Sequence, residues 1–309
     1  MGSASYDRKN WNFFRTRPAS TQLRTTFTSR RTSAAVLVCL CAASAWAQTP
    51  VRRAKAPAAG RESLLGVVPF LPPERLELTF AHMAARFSEV LGREVRFRTA
   101  TTWARYEESL RAGEYDFAVV GPFVYTRIAS EAYVTLGRTP GRLTAEFVVL
   151  EDSPLAQLSD LRGKTLATGP TRSDVDYLTR YALAEQGIVP GKDVELLYFE
   201  SPLSCLQQLL AGTAPACATM SLVREAFAAG MGVKLKVIAE SAGVPRGPVL
   251  AHRRVPEGER ETVRKLLSSW ADDPANRLPV PGAQVPSIIP IEPGEYDVVQ
   301  RILASLQER

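Results

Sequence analysis

Residues 114–128, "EYDFAVVGPFVYTRI", decide how the chain is read. Phe117, Ala118, Val119 and Val120 form a continuous apolar run, the pattern of a strand buried on both faces of a parallel sheet. Gly121-Pro122 stops it. Proline cannot donate to a ladder, and glycine lets the backbone bend sharply or another group approach closely. Phe123 and Tyr125 follow at once. In open parallel sheets, ligands sit at the loops beyond the carboxyl ends of strands. The competing reading is an ordinary strand-to-helix connection with its aromatics in the core, and this stretch by itself does not separate the two.

Outward from this run, strand-like and helix-like segments alternate. Residues 64–68 make a short apolar strand that ends at Pro69-Phe70-Leu71-Pro72-Pro73. Residues 74–91 carry Leu76, Phe80, Met83, Ala84, Phe87 and Leu91 at helical spacing, and Gly92 suits the C-cap. A strand at 94–98 and a helix opened by Thr101-Thr102 lead back to the quoted run. This βαβαβ series predicts a parallel sheet covered by helices. A second series begins near Ser153, with strands at 164–168, 193–199, 216–220 and 235–239 and helices at 174–187, 202–211 and 222–229. Segments 145–150 and 247–251 join the two series. Two crossings mean that one lobe is inserted into the other: lobe 1 from 63–150 plus 247–309, lobe 2 from 151–246. The tail, 256–306, reads as mostly helical and is expected to return to lobe 1.

The first part of the chain is built differently. Residues 30–47, "RRTSAAVLVCLCAASAWA", run from charged to apolar to small residues, the order of a secretory signal cleaved near Ala47. The apolar part is too short to span a bilayer. Residues 48–62, rich in Ala, Pro and basic residues, read as a flexible lead-in. The whole chain has 38 Lys and Arg against 32 Asp and Glu; seven of the former and one of the latter fall in residues 1–47. The mature chain is thus close to neutral, and no basic face argues for nucleic acid. Of the 4 cysteines, Cys39 and Cys41 leave with the leader. Cys205 and Cys217 remain, and an oxidising compartment favours a disulfide between them over two buried thiols or a reactive one.

Gly66-Val67-Val68-Pro69-Phe70 with Pro72-Pro73-Glu74, "LRAGEYDFAVVGPFVY", Asp152-Ser153-Pro154 with "LSDLRGKTLA", "QQLLAGTAPACAT" and Asp297-Val298-Val299 occur here in that order. Together they resemble the phosphate, phosphite and phosphonate solute-binding proteins that serve ABC transporters, over residues 63–306. The resemblance implies a type 2 periplasmic-binding fold. Two α/β lobes, each a mainly parallel sheet flanked by helices, would be joined by two hinge strands and grip a ligand between them. Gly121-Pro122-Phe123 would then be a cleft-lip loop in contact with ligand. Members of this family present a Ser-Thr-Ser-Gly run at a helix start, where hydroxyls and backbone N–H groups hold a phosphonate. The corresponding stretch here is Thr171-Arg172-Ser173-Asp174-Val175-Asp176, which brings two carboxylates to that helix start. Capping and first-turn roles are the plainer reading of these acids.

The resemblance and the strand ends together name the expected ligand-binding residues: Pro69, Phe70, Thr101, Thr102, Trp103, Gly121, Pro122, Phe123, Tyr125, Thr171, Arg172, Ser173, Asp174, Ser201, Thr219, Ser221 and Arg246. For Phe70, Trp103 and Phe123, core burial competes; for Arg246, a solvated surface position does. No residue spacing suggests a metal site, a phosphate-cradling loop or a nucleophile with its base, so neither a cofactor nor enzymatic activity is expected. The expected protein is a periplasmic monomer. It would capture a small ligand, with phosphonate- and oxyanion-like anions among the candidates, for the permease of an ABC transporter. Two alternatives are a periplasmic sensor docking on a membrane histidine kinase and, less favoured, an enzyme on the same fold.

Overall fold

The computed structural model describes residues 62–129, 131–278 and 284–307. The leader, its cleavage site near Ala47 and nearly all of the lead-in lie outside them. Chain order is β1 (Ser63–Val67), α1 (Pro73–Leu91), β2 (Val95–Arg98), α2 (Trp103–Arg111), β3 (Phe117–Val119) and a short α3 (Pro122–Val124) that runs on as a wider π turn (Tyr125–Ala129). Then come β4 (Tyr133–Arg138), β5 (Arg142–Leu143), β6 (Glu146–Leu150), β7 (Lys164–Thr168), α4 (Asp174–Glu185), β8 (Val194–Tyr198), α5 (Pro202–Ala211) and β9 (Ala216–Thr219). The chain continues with α6 (Ser221–Met231), β10 (Leu235–Glu240), β11 (Val244–Pro245), β12 (Pro248–His252), α7 (Glu257–Ser268) and α8 (Asp297–Gln307). None of these helices is long and apolar enough to cross a membrane.

The strands form two mixed five-stranded sheets. The first has the order β2-β1-β3-β12-β4, with β1 parallel to β2 and β3, and β12 antiparallel to both neighbours. The second has the order β10-β6-β9-β7-β8, with β7 parallel to β8 and β9, and β6 antiparallel to both neighbours. Every residue of β1 is buried because the strand is central and both its faces are covered. On one face α1 and α7 bury Leu76, Met83, Phe87, Val263 and Leu267; on the other, α2 buries Trp103, Tyr106 and Leu110. Pro73 opens α1, where no donor is needed, and left-handed Gly92 (φ 64°) closes it. The second sheet is covered by α4 on one face and by α5 with α6 on the other. Two crossings, through β5 and β11, pair with each other: Val244 lies opposite Leu143 and Pro245 opposite Arg142.

Two expectations about the lobes need correcting. Glu146–Leu150, expected to close the first lobe, is hydrogen-bonded between β9 and β10 in the second sheet. Its Phe147, Val148 and Val149 are fully buried, so the strand needs cover on both faces and cannot serve as an exposed linker. The tail also divides. Helix α7 packs on α1 and β4, but α8 lies on α4, burying Val299 and Ile302 beside Leu178 in the second lobe's core. The chain therefore crosses a third time, between Ile289, which pairs with Arg138 at the end of β4, and α8.

Candidate functional site

The lobes meet where the loop after β3 faces the start of α4. Ser173 caps α4, its Oγ accepting the N–H of Asp176 at 3.2 Å. Arg172, just before it, is the one non-glycine described with positive φ (65°). That turn aims the Arg172 N–H at Oδ2 of Asp176, 2.7 Å away. Asp176 also accepts from Nε and Nη2 of Arg180 (3.0 and 3.1 Å) and from the Tyr198 hydroxyl (3.1 Å). Its carboxylate is thus wholly engaged within the second lobe. Burial first, then the charge of Asp176, pushes the Tyr198 hydroxyl up to about 12.

Asp174 behaves differently. Its side chain reaches out of its own lobe, and Oδ1 accepts the backbone N–H of Phe123 at 3.1 Å. A β-carbon at Gly121 would stand 1.8 Å from its Oδ2. This close approach is what glycine permits at the end of β3. Burial raises the Asp174 carboxyl to about 7, with the charge of Glu107 acting the same way and the Phe123 N–H and Arg127 opposing. Next to it the Phe123 ring stacks on Tyr177 (centroids 4.9 Å apart, planes 12° apart), with the guanidiniums of Arg127 and Arg180 at 5.4 and 4.9 Å from the Tyr177 centroid. Phe123 is consequently buried in the core of the second lobe, although β3, the strand before it, belongs to the first sheet.

Charge also crosses the gap. Glu107, buried on α2, pairs with Arg127, with Arg111 (3.3 Å) and with Arg172 of the second lobe (3.3 Å). Tyr125 meets Tyr296 edge-on at 5.1 Å, and the Tyr296 hydroxyl donates to the Arg246 carbonyl at 2.6 Å.

Of the residues expected from sequence, the structure brings together Gly121, Pro122, Phe123, Tyr125, Arg172, Ser173 and Asp174. Thr171 is exposed beside them. Thr102 and Ser201 are spent as caps, accepting from Arg105 N (3.2 Å) and Ser204 N (3.1 Å); Thr101 is exposed before the first of these. Trp103 lies in the first lobe's core. Thr219 is fully buried at the end of β9, and Ser221 is half-buried where α6 begins. Pro69 and Phe70 are half-buried, with Phe70 edge-on to Phe80 at 6.3 Å. Arg246 is half-buried between β11 and β12 and has no ion pair among the described residues. Glu107, Arg127, Tyr177, Tyr198 and Tyr296 were not anticipated. No group of His, Cys, Asp and Glu among the described residues is arranged to hold a metal ion.

A family model described as the periplasmic substrate-binding protein of phosphonate ABC transporters matches residues 65–296. Among solved structures, PhnD1 from Prochlorococcus marinus in complex with methylphosphonate gives a TM-score of 0.71 at 15% identity, over 81% of this chain and 99% of that one. The binding-protein component of an ABC phosphonate transporter from Pseudomonas aeruginosa gives 0.68 at 14% identity, over 79% and 86%. The periplasmic aliphatic sulphonate binding protein from Escherichia coli gives 0.56 at 17% identity, over 81% and 88%. At these identities the likeness shows the fold, two α/β lobes. No curated protein matches the chain.

Proposed function

The chain belongs to the periplasmic substrate-binding proteins of phosphonate-type ABC transporters, and we propose that it binds a small oxyanion-bearing solute between its lobes and delivers it to a membrane permease. The observation carrying this reading is the meeting of the β3 loop with the start of α4, two elements from different lobes joined by the Phe123 N–H donating to Asp174. A helix start there favours negative charge. Arg172 and Arg246 border the gap and are suited to an anion; Phe70 and Tyr125 offer apolar and aromatic surface to the rest of a small ligand. Methylphosphonate in one structural relative and aliphatic sulphonates in the name of another support the ligand class. On this reading the protein acts in the periplasm after removal of residues 1–47, binds rather than transforms its ligand, and works as a monomer.

Lobes joined by thin strands can open and close, and a ligand touching both favours the closed form. A thermal-shift screen of the mature protein against methylphosphonate, phosphite, phosphate and methanesulfonate tests this directly. At least one is expected to raise the melting temperature with increasing concentration. No shift with any of them rejects the ligand class.

A further inference from the structure

Asp174 is the first residue of α4, yet its carboxylate is not used inside α4's lobe. Among the described residues its one hydrogen bond comes from Phe123 N–H, across the gap. Asp176, two residues on, is held by Arg180, Tyr198 and the Arg172 backbone, all from its own lobe. Asp174 is only 6% exposed, and the absence of a side chain at Gly121 leaves the space its Oδ2 fills. A carboxylate from the first residue of α4 thus occupies the Phe123 N–H at the end of the β3 loop, a donor that a bound anion could otherwise use.

We propose that Asp174 is a specificity-determining residue that acts as an internal competitor: an oxyanion reaches the Phe123 N–H of the β3 loop only by displacing the Asp174 carboxylate. This rests on the reading of the gap as the ligand site. Displacement leaves two negative groups close together, which is costly unless Asp174 takes up a proton. The charged and titratable groups acting on it are Glu107 on α2, Arg127 on the π turn and Tyr296 ahead of α8; Asp176 on its own helix is held by Arg180, Tyr198 and the Arg172 N–H. Burial lifts Tyr296 far above neutral pH, and the two histidines pack on Trp270 and Tyr133 in the first lobe. Oxyanion binding should therefore strengthen as pH falls towards the range in which Asp174 is protonated, about 7.

Calorimetric titration of methanesulfonate, an anion whose charge does not change near neutral pH, into mature wild-type and Asp174→Ser protein tests the idea. At about pH 8 the variant is expected to bind roughly tenfold or more tightly than wild type, and wild type alone should gain affinity at about pH 6. Equal affinities of the two proteins, with no pH effect on wild type, overturn the internal competitor while leaving the ligand site intact. Binding by neither protein overturns both readings. If Asp174→Ser does not fold, the wild-type comparison at the two pH values decides, because a competitor that is not Asp174 predicts no gain.

Discussion

Gly121 and Asp174 explain each other, and each carries a prediction. An alanine at 121 places its β-carbon against the buried Asp174 carboxylate, so Gly121→Ala should cost about 1–3 kcal/mol in denaturant unfolding, the usual scale of overpacking. In an Asp174→Ser background the same change should cost clearly less, since the obstructing atoms are gone. An undiminished cost would mean that the strain lies elsewhere. Asp174 also sets a pH dependence. Its carboxyl rises from 3.8 to about 7, mainly through burial. Between about pH 4 and about pH 7 the folded protein therefore holds a proton that the unfolded chain has released. Stability from this group is full below the unfolded value and is lost as pH rises through the folded one. Melting temperature should fall across that window, and Asp174→Asn should flatten the slope. An unchanged slope in the variant would assign the effect to another group. Gly121 was conspicuous in the sequence because Gly-Pro interrupts an apolar run. Glu107 was not: within "RYEESLR" it looks like any solvated helix acid, and only arginines from three separate segments make its burial tolerable.

At the scale of elements, the strands and helices were legible because their apolar spacing changes between two and 3.6 residues and glycine or proline marks the ends. Helix α5 (Pro202–Ala211) and the quoted strand fall where the pattern put them. The direction and neighbours of β6 were not legible, since an apolar run announces burial on both faces without saying in which sheet. Cys205 lies in the first turn of α5 and Cys217 in β9, with Cα atoms 5.8 Å apart, at disulfide distance. The intervening loop is short, and closing it should contribute on the order of 2–3 kcal/mol. Cys205→Ser with Cys217→Ser should lower the unfolding free energy by that order, with ligand affinity unchanged because both cysteines are fully buried in a core cluster that contains none of Phe123, Ser173 and Asp174. Two titratable thiols in the denatured, non-reduced mature protein would end the assignment.

For the whole molecule, the consequence of greatest reach is the third crossing. The amphipathic stripe of α8 showed that it packs against something; it could not show which lobe, because both lobes offer apolar helix faces of similar chemistry. The segment leading to it is pinned on the way: Glu295 pairs with Arg138 at the end of β4, and the Tyr296 hydroxyl holds the Arg246 carbonyl beside the second crossing. Helix α8 then covers α4, the helix capped by Ser173 whose first turn carries Asp174 and Asp176. Weakening α8 should therefore loosen the site from behind without touching it. Ile302, 1% exposed, is the test position; Ile302→Ala should cost about 2–5 kcal/mol, as for other buried aliphatic truncations. Hydrogen exchange should locate the loss, with α4 amides exchanging faster while those of β1 and α1 keep their protection, since local openings follow local packing. Methanesulfonate affinity should fall with it, because an α4 that frays presents its N–H groups less of the time. Equal acceleration of exchange in both sheets would mean instead that α8 stabilises the two lobes as one cooperative unit, and the lobes could not then move apart independently of global unfolding.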